Sequence, residues 1–314
     1  MNTRLTGALY GSGRERWLEG LALLLFTACS WGLNWPIMKF LLTELPPFTM
    51  RSISGGLGLV IAVALAVWRR ESLHLPRSQL LNVFIFAMLN YGVFGVFTTL
   101  ALYWLRASEA VVITYTLPIW ATLLAWPILG ERPNAPGIIG MILAISGIAW
   151  LVGADEIRLS PTMLPGVACG FLAAFCFGLG AVIAKRRPLA LPPVAGVAWQ
   201  IAFGSLPPLA LALFEHPHFS RVTPLAWGSF GYIAVFPVTV AYLAWFRALT
   251  LLPASTSAIA VLLSPIVGVV SSAVLLGDPL GLRQLAALTV TLSGIGLAAL
   301  PVRYKPLAGH RGSC

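Results

Sequence analysis

Apolar residues run along this chain in ten long stretches, broken only by short polar or proline-rich segments. The stretches lie near 17–42, 47–68, 80–104, 107–129, 137–152, 163–184, 193–214, 224–246, 254–276 and 282–300. A helix rises about 1.5 Å per residue, so about 20 apolar residues cross the ~30 Å of hydrocarbon in a bilayer. The pattern predicts an all-α membrane protein with ten transmembrane helices. The connections at 43–46, 130–136, 247–253 and 277–281 are short, and the longest fall at 69–79 and 215–223, leaving no room for a soluble domain.

The pattern also repeats. Gly32, Leu33, Lys39, Leu45, Pro46 and Pro47 recur 146 positions later as Gly178, Leu179, Lys185, Leu191, Pro192 and Pro193. Ala101, Ala107, Ser108, Pro118, Leu129, Gly130 and Gly147 recur 147 positions later as Ala248, Ala254, Ser255, Pro265, Leu276, Gly277 and Gly294. Each copy holds five stretches, an odd number, so the second copy must enter the membrane from the opposite side. The expected organisation is two inverted five-helix repeats, 1–152 and 153–302, followed by a tail at 303–314. Such a duplication is the architecture of a transporter that alternates access around the axis relating its halves.

Composition sharpens this picture. Apolar residues make up 58% and charged residues only 10% of the chain, against about a quarter charged in soluble domains. The net charge of +10 raises the possibility of nucleic-acid binding, but the basic residues segregate by side. With the N-terminus in the cytoplasm, Arg4, Arg14, Arg16, Arg69, Arg70, Arg77, Arg132, Lys185, Arg186, Arg187, Arg247, Arg303, Lys305 and Arg311 face inward. Only Arg106, Arg158, Arg221 and Arg283 face outward. That bias predicts both termini inside and a place in the cell inner (plasma) membrane, with no nucleic-acid partner. Lys39 and Arg51 fall within stretches one and two, where snorkelling to the interface is the simplest expectation. Cys29, Cys169 and Cys176 read as small fillers, and no spacing suggests a metal site. No cleavable leader is expected, because the first apolar run is longer than a signal core.

The first stretch contains Trp31-Gly32-Leu33-Asn34-Trp35-Pro36-Ile37-Met38-Lys39, and the fourth runs from Ala107-Ser108 through Pro118 to Gly130-Glu131-Arg132. The second half carries Gly178 to Lys185, Ala254-Ser255, Pro265 and Gly277-Asp278 in the same places. These features resemble the drug/metabolite transporter superfamily in its ten-helix EamA-type branch, over nearly the whole chain. The resemblance implies N-in and C-in topology and a central cavity lined mainly by helices 1, 3, 4, 6, 8 and 9. Within that superfamily the aromatic side chains and central hydroxyls look most like an aromatic amino-acid exporter.

Candidate site residues follow from polarity at mid-membrane, where Asn82, Asn90, Thr114, Tyr115, Thr116, Gln200, Thr239, Ser257 and Ser264 stand out. Such residues serve either as interhelical glue or as ligands. Asn90, Tyr91, Tyr115 and Ser264 are the first choice as substrate-binding residues, with Trp31 and Asn34 on one face of helix 1. Pro36, Pro118 and Pro265 each free a carbonyl four residues back, and Gly178 permits close approach, so all four are candidates for helix bending or gating. Lys39 is a candidate gate that caps or pairs with an acidic outer-loop group such as Glu44.

No catalytic residue is expected. No Asp or Glu lies deep in an apolar stretch, the four histidines are in connections or the tail, and His-Glu-x-x-His is absent. A membrane-embedded enzyme would need paired acids, a metal motif, or a base beside a nucleophile. The expectation is therefore a cofactor-free, monomeric exporter of amino acids, neutral and aromatic ones foremost, that works without a proton relay. A drug or nucleotide-sugar transporter of the same superfamily is the alternative, and an enzyme the remote one.

Overall fold

A computed structural model describes residues 13–130, 135–153, 162–252 and 263–298. Glu131, Arg132, Ala254, Ser255, Ser257 and the 303–314 tail lie outside them. Among the described residues, and apart from a short 3-10 turn at Phe219–Arg221, ten helical stretches follow one another: α1 (Gly13–Leu41), α2 (Pro47–Trp68), α3 (Arg77–Trp104), α4 (Ala107–Leu129), α5 (Ala135–Gly153), α6 (Leu164–Arg186), α7 (Pro193–Ala212), α8 (Pro224–Leu251), α9 (Leu263–Leu276) and α10 (Leu282–Ala298). Seven are long and apolar enough to cross a membrane, and Ala135–Ile148, Leu263–Leu276 and Leu282–Leu297 are shorter apolar helices. The described residues contain no strand.

Local chemistry sets many of the ends. Pro47, Pro193 and Pro224 open α2, α7 and α8, where a missing N–H removes no helical bond. Gly130 and Gly277, 147 positions apart, stop α4 and α9 in the left-handed region at φ 75° and 72°, which lacks a steric penalty only for glycine.

Packing repeats with the sequence. α1 lies against α8 and α9, while α6 lies against α3 and α4; α5 crosses α10, and α2 runs beside α7. Four close glycine contacts pair equivalent atoms. A Cβ at Gly32 would sit 2.6 Å from Ser264 O and from Val267 Cβ, and one at Gly178 would sit 3.1 Å from Leu117 O and 3.0 Å from Trp120 Cβ. Gly147 meets Thr291 N and Ala287 O, as Gly294 meets Ala144 N and Gly140 O. In each pairing the two sets of residues are 146 or 147 positions apart.

The ends of α2 and α7 are joined reciprocally. Glu215, just beyond α7, accepts from Phe48 N (3.0 Å), Thr49 N (2.6 Å) and Thr49 Oγ1 (2.8 Å) at the start of α2. Glu71, just beyond α2, accepts from Val194 N (2.9 Å) and Ala195 N (3.0 Å) at the start of α7. Each carboxylate satisfies orphan N–H groups and faces the positive end of the opposite helix dipole. The helices are therefore antiparallel, each capped by the other.

The outside of the bundle is apolar. Val60, Val67, Ile139, Ile142, Val274 and Leu282 are exposed, while Thr27, Ser54, Thr98, Thr99, Thr114, Thr239, Ser264, Ser272 and Thr291 are buried. Exposed Trp17, Trp68, Trp104 and Trp150 mark helix ends, the depth of the headgroups. Below, the face from which α1 starts is the near face and the opposite one the far face.

Candidate functional site

Two helices change their winding near mid-height, at positions the apolar pattern does not mark. α3 passes through a π-helical turn at Met88–Gly92, and α8 through one at Phe236–Val240, in matching places of the two halves. A π-turn inserts a residue and loosens backbone bonds, so its carbonyls need partners. Thr239 Oγ1 donates to Ala234 O at 2.8 Å, and Trp31 Nε1 donates to Pro237 O at 3.1 Å. A third irregularity divides α4, where regular helix stops at Thr114, turns through Tyr115 and Thr116, and resumes at Leu117. Pro118 stands second in the resumed segment.

These breaks bring aromatic rings together. Tyr91, inside the π-turn of α3, packs on Gly204 of α7. Arg51 of α2 places its guanidinium carbon 5.4 Å from the centre of the Tyr91 ring. Tyr115 lies beside Ser264 and Trp35, with the Trp35 and Tyr115 rings 6.4 Å apart and inclined at 58°. Trp31 meets Tyr242 edge-on at 5.4 Å, and Tyr242 is within electrostatic reach of Tyr91, Arg51 and Tyr115. Trp31, Trp35, Arg51, Tyr91, Tyr115, Tyr242 and Ser264 thus form one centre contributed by α1, α2, α3, α4, α8 and α9.

The centre holds polar atoms without protein partners. Asn34 Oδ1, Arg51 Nε, Ser205 Oγ and Ser264 Oγ are buried and make no hydrogen bond among the described residues, and neither do Ser30 Oγ and Thr114 Oγ1, one residue from Trp31 and Tyr115 in sequence. Unsatisfied buried groups are rare in native proteins, and concentrated ones mark where a ligand or water completes the bonding.

Other predicted residues are placed differently. Asn90 donates from Nδ2 to Phe86 O at 3.2 Å, and its amide lies against Gly180 of α6, so it joins α3 to α6 rather than meeting the tyrosines. Asn34 donates to Met38 Sδ at 3.1 Å on the edge of the centre. Pro36 lies inside an unbroken α1, Pro265 is the third residue of α9 as described, and Gly178 sits at the α6–α4 contact. Cys29, Cys169 and Cys176 are free, and no group of three metal-ligating side chains exists among the described residues.

Two expectations are corrected. Arg51 does not snorkel: it is only 9% exposed, and Gly95 of α3 leaves room for its head group. Lys39 does not pair with Glu44. Its Nζ donates to Leu102 O and, at 2.8 Å, to Leu105 O, the orphan carbonyls ending α3, with Asp278 and Glu109 nearby. Glu44 instead accepts from Thr223 N (2.7 Å) and Oγ1 (2.6 Å) at the start of α8. Asp278 accepts from Ser108 N (3.1 Å) and Oγ (2.7 Å) at the start of α4, completing a polar rim at the far face. Lys39→Gln should lower the thermal midpoint in detergent, with a loss of about 1–2 kcal/mol, while Lys39→Arg should retain it. An unchanged midpoint for Lys39→Gln would mean that these bonds contribute nothing.

The sequence reading missed Arg51, Tyr242 and Trp35 as members of the centre. A signal existed in the small residues Gly55, Gly95 and Gly204, which make room for Ser205, Arg51 and Tyr91 in turn, but only the packing shows which side chains they receive.

The sequence profile of the EamA-like transporter family matches this chain twice, over residues 18–153 and 164–300. The uncharacterized transporter YvbV of Bacillus subtilis is 28% identical over 277 residues, covering 88% of this chain and 90% of the relative. Protein PecM of Dickeya dadantii is 23% identical over 293 residues, covering 90% and 95%. A solved crystal structure superposes with a TM-score of 0.63 at 19% identity, covering 91% of this chain and 98% of the other, a likeness of fold. This multi-pass membrane protein belongs to the EamA-like transporter family, part of the drug/metabolite transporter superfamily.

Proposed function

We propose that the chain exports amino acids, neutral and aromatic ones foremost, across the plasma membrane by alternating access. The observation that carries this reading is the cluster of Trp31, Trp35, Tyr91, Tyr115 and Tyr242, with the Ser264 hydroxyl beside Tyr115. Aromatic faces and edges suit a flat apolar side chain, and free hydroxyls suit a polar head group. The repeats, 1–152 and 153–302, would exchange conformations about their common axis, with both termini in the cytoplasm and one chain sufficient. The interrupted α4 and the π-turns of α3 and α8 are natural places for bending.

The centre contains no carboxylate among the described residues. Glu44, Glu71, Glu215 and Asp278 accept from backbone at helix starts. Glu109, buried at the start of α4, accepts from Arg106 N, and with no acid at the centre itself to relay protons, transport runs down the substrate gradient.

Proteoliposomes of the purified protein test this. Radiolabelled Trp, Phe, Thr and Ala should enter saturably, Trp and Phe fastest, and an imposed pH gradient should leave the rates unchanged. Flux restricted to a drug-like cation, or appearing only under the gradient, would overturn the proposal.

A further inference from the structure

Arg51 is a buried cation without a matching anion. It is the fifth residue of α2, 9% exposed, and its Nε makes no hydrogen bond. Its Nη1 reaches only a thioether, Met38 Sδ at 3.5 Å, a weak acceptor. The Tyr91 ring at 5.4 Å adds a cation–π contact worth about 0.5–2 kcal/mol. An ionised side chain at membrane depth costs more than that unless it meets an opposite charge, so such a residue marks a functional site.

The acids that might neutralise it are engaged elsewhere. Glu215 holds Phe48 and Thr49, Glu44 holds Thr223, Asp278 holds Ser108, and Glu109 accepts from Arg106 N at 3.0 Å. No carboxylate pairs with Arg51 among the described residues. Its surroundings nevertheless fix its place. Gly95 lets the guanidinium lie against α3, since a Cβ there would be 2.8 Å from Nε and 2.9 Å from Nη2. Tyr242, the unpartnered Ser205 Oγ and Asn34, whose Oδ1 makes no hydrogen bond, border the same region.

We propose that Arg51 is the carboxylate-binding residue of the transport site, so that the substrate class is a small molecule with one carboxylate and an apolar or aromatic body. The proposal rests on reading this centre as the transport site. The guanidinium edge offers parallel N–H donors at the spacing of two carboxylate oxygens, and the contact strengthens where water is excluded. One cation balances one negative charge. A diphosphate-linked sugar would need several basic groups, and Arg51 stands alone among the rings.

Three indole compounds separate the head groups: L-tryptophan carries carboxylate and ammonium, indole-3-propionate only carboxylate, and tryptamine only ammonium. In proteoliposomes the wild-type protein should carry at least one carboxylate-bearing compound at least tenfold faster than tryptamine. Arg51→Gln, planar and neutral, should lower kcat/KM for those compounds at least tenfold and should not lower it for tryptamine. Arg51→Lys should recover only part of the loss, because a point charge lacks the fork.

A monodisperse Arg51→Gln protein that carries tryptophan with the wild-type KM would overturn the proposal and leave the amino-acid reading intact. Wild-type flux of indole-3-propionate without tryptophan would sink the amino-acid reading and support Arg51 as the carboxylate ligand. Tryptamine as the sole substrate would sink both. If Arg51→Gln fails to fold, Gly95→Ala gives the answer, because it displaces the guanidinium and keeps the charge. Its KM should rise for tryptophan or indole-3-propionate and not for tryptamine, and an equal rise for all three would overturn the proposal.

Discussion

Gly294→Ala should abolish most of the monodisperse protein recovered in detergent, although it adds a single methyl group in a helix. A Cβ at Gly294 would lie 2.3 Å from Ala144 N and 2.6 Å from Gly140 O. These are backbone atoms of α5, with no rotamer to change, so α5 and α10 must move apart along their crossing. Lipid tails are as apolar as the helix surfaces, so close van der Waals fit holds membrane helices together. Opening the crossing forfeits much of that attraction, placing the loss at about 3 kcal/mol or more, in the range of overpacked cores. Gly147→Ala should behave alike, since its Cβ would be 2.3 Å from Thr291 Oγ1 and 2.7 Å from Thr291 N. Gly228→Ala and Gly231→Ala in α8 are the controls: nothing lies within 4 Å of either position. Alanine is favoured over glycine in helices, so both should hold or raise the thermal midpoint. A Gly294→Ala protein with wild-type yield and midpoint would show that the crossing does not depend on glycine.

Glu71→Gln and Glu215→Gln should each destabilise the protein, and together by about the sum. Each carboxylate accepts two or more bonds at a helix N-terminus and lies against its positive pole. Both groups are partly exposed, so about 1 kcal/mol each is expected, within the range of N-caps. The two caps stand at opposite ends of α2, some 33 Å apart by helical rise, too far to interact directly. Thermal midpoints of the singles and the double in one detergent measure this. A double variant no less stable than either single would mean that the two ends act as one unit. In transport assays, Glu215→Gln frees the far ends of α2 and α7 and Glu71→Gln the near ends. If transport runs by the proposed alternating access, the two variants should shift the balance between its two open states in opposite senses.

The caps show how far sequence reasoning reaches. The proline pairs before α2 and α7 announce two helix starts in equivalent places, but nothing adjacent in sequence supplies a cap for either. The partners, Glu215 and Glu71, are 166 and 123 residues away at their nearest bonds. Glu131 and Ser255 hold the sequence positions equivalent to Asp278 and Ser108 and lie outside the described residues. The acidic residue in each half reads as a motif, and only the packing reveals that Asp278 closes a contact between the halves.

Side-chain polarity was a partial guide to the centre. Tyr91, Tyr115, Ser264 and Trp31 meet there, because polar and aromatic groups at mid-membrane avoid lipid and turn toward one another. Asn90 had the same polarity and went elsewhere: the π-turn sets the direction of each residue on α3, placing Asn90 against Gly180 and its neighbour Tyr91 against Gly204. Arg51 misled in the opposite sense. Its position near the end of an apolar stretch allows an arginine to reach the headgroups, and the gap at Gly95 directs it inward.

The amino-acid sequence by itself determined the helices, their apolar exteriors, the duplication and the close glycine contacts that recur with it. Those follow from composition and from periodicity at 146 and 147 positions, which act on each segment locally. Tertiary structure alone decided where α3 and α8 adopt π-turns, which carboxylate caps which helix, and which cation remains unpaired at the centre. Each depends on groups brought together from distant segments, and the free energy of a buried charge or an orphan N–H is set by what surrounds it.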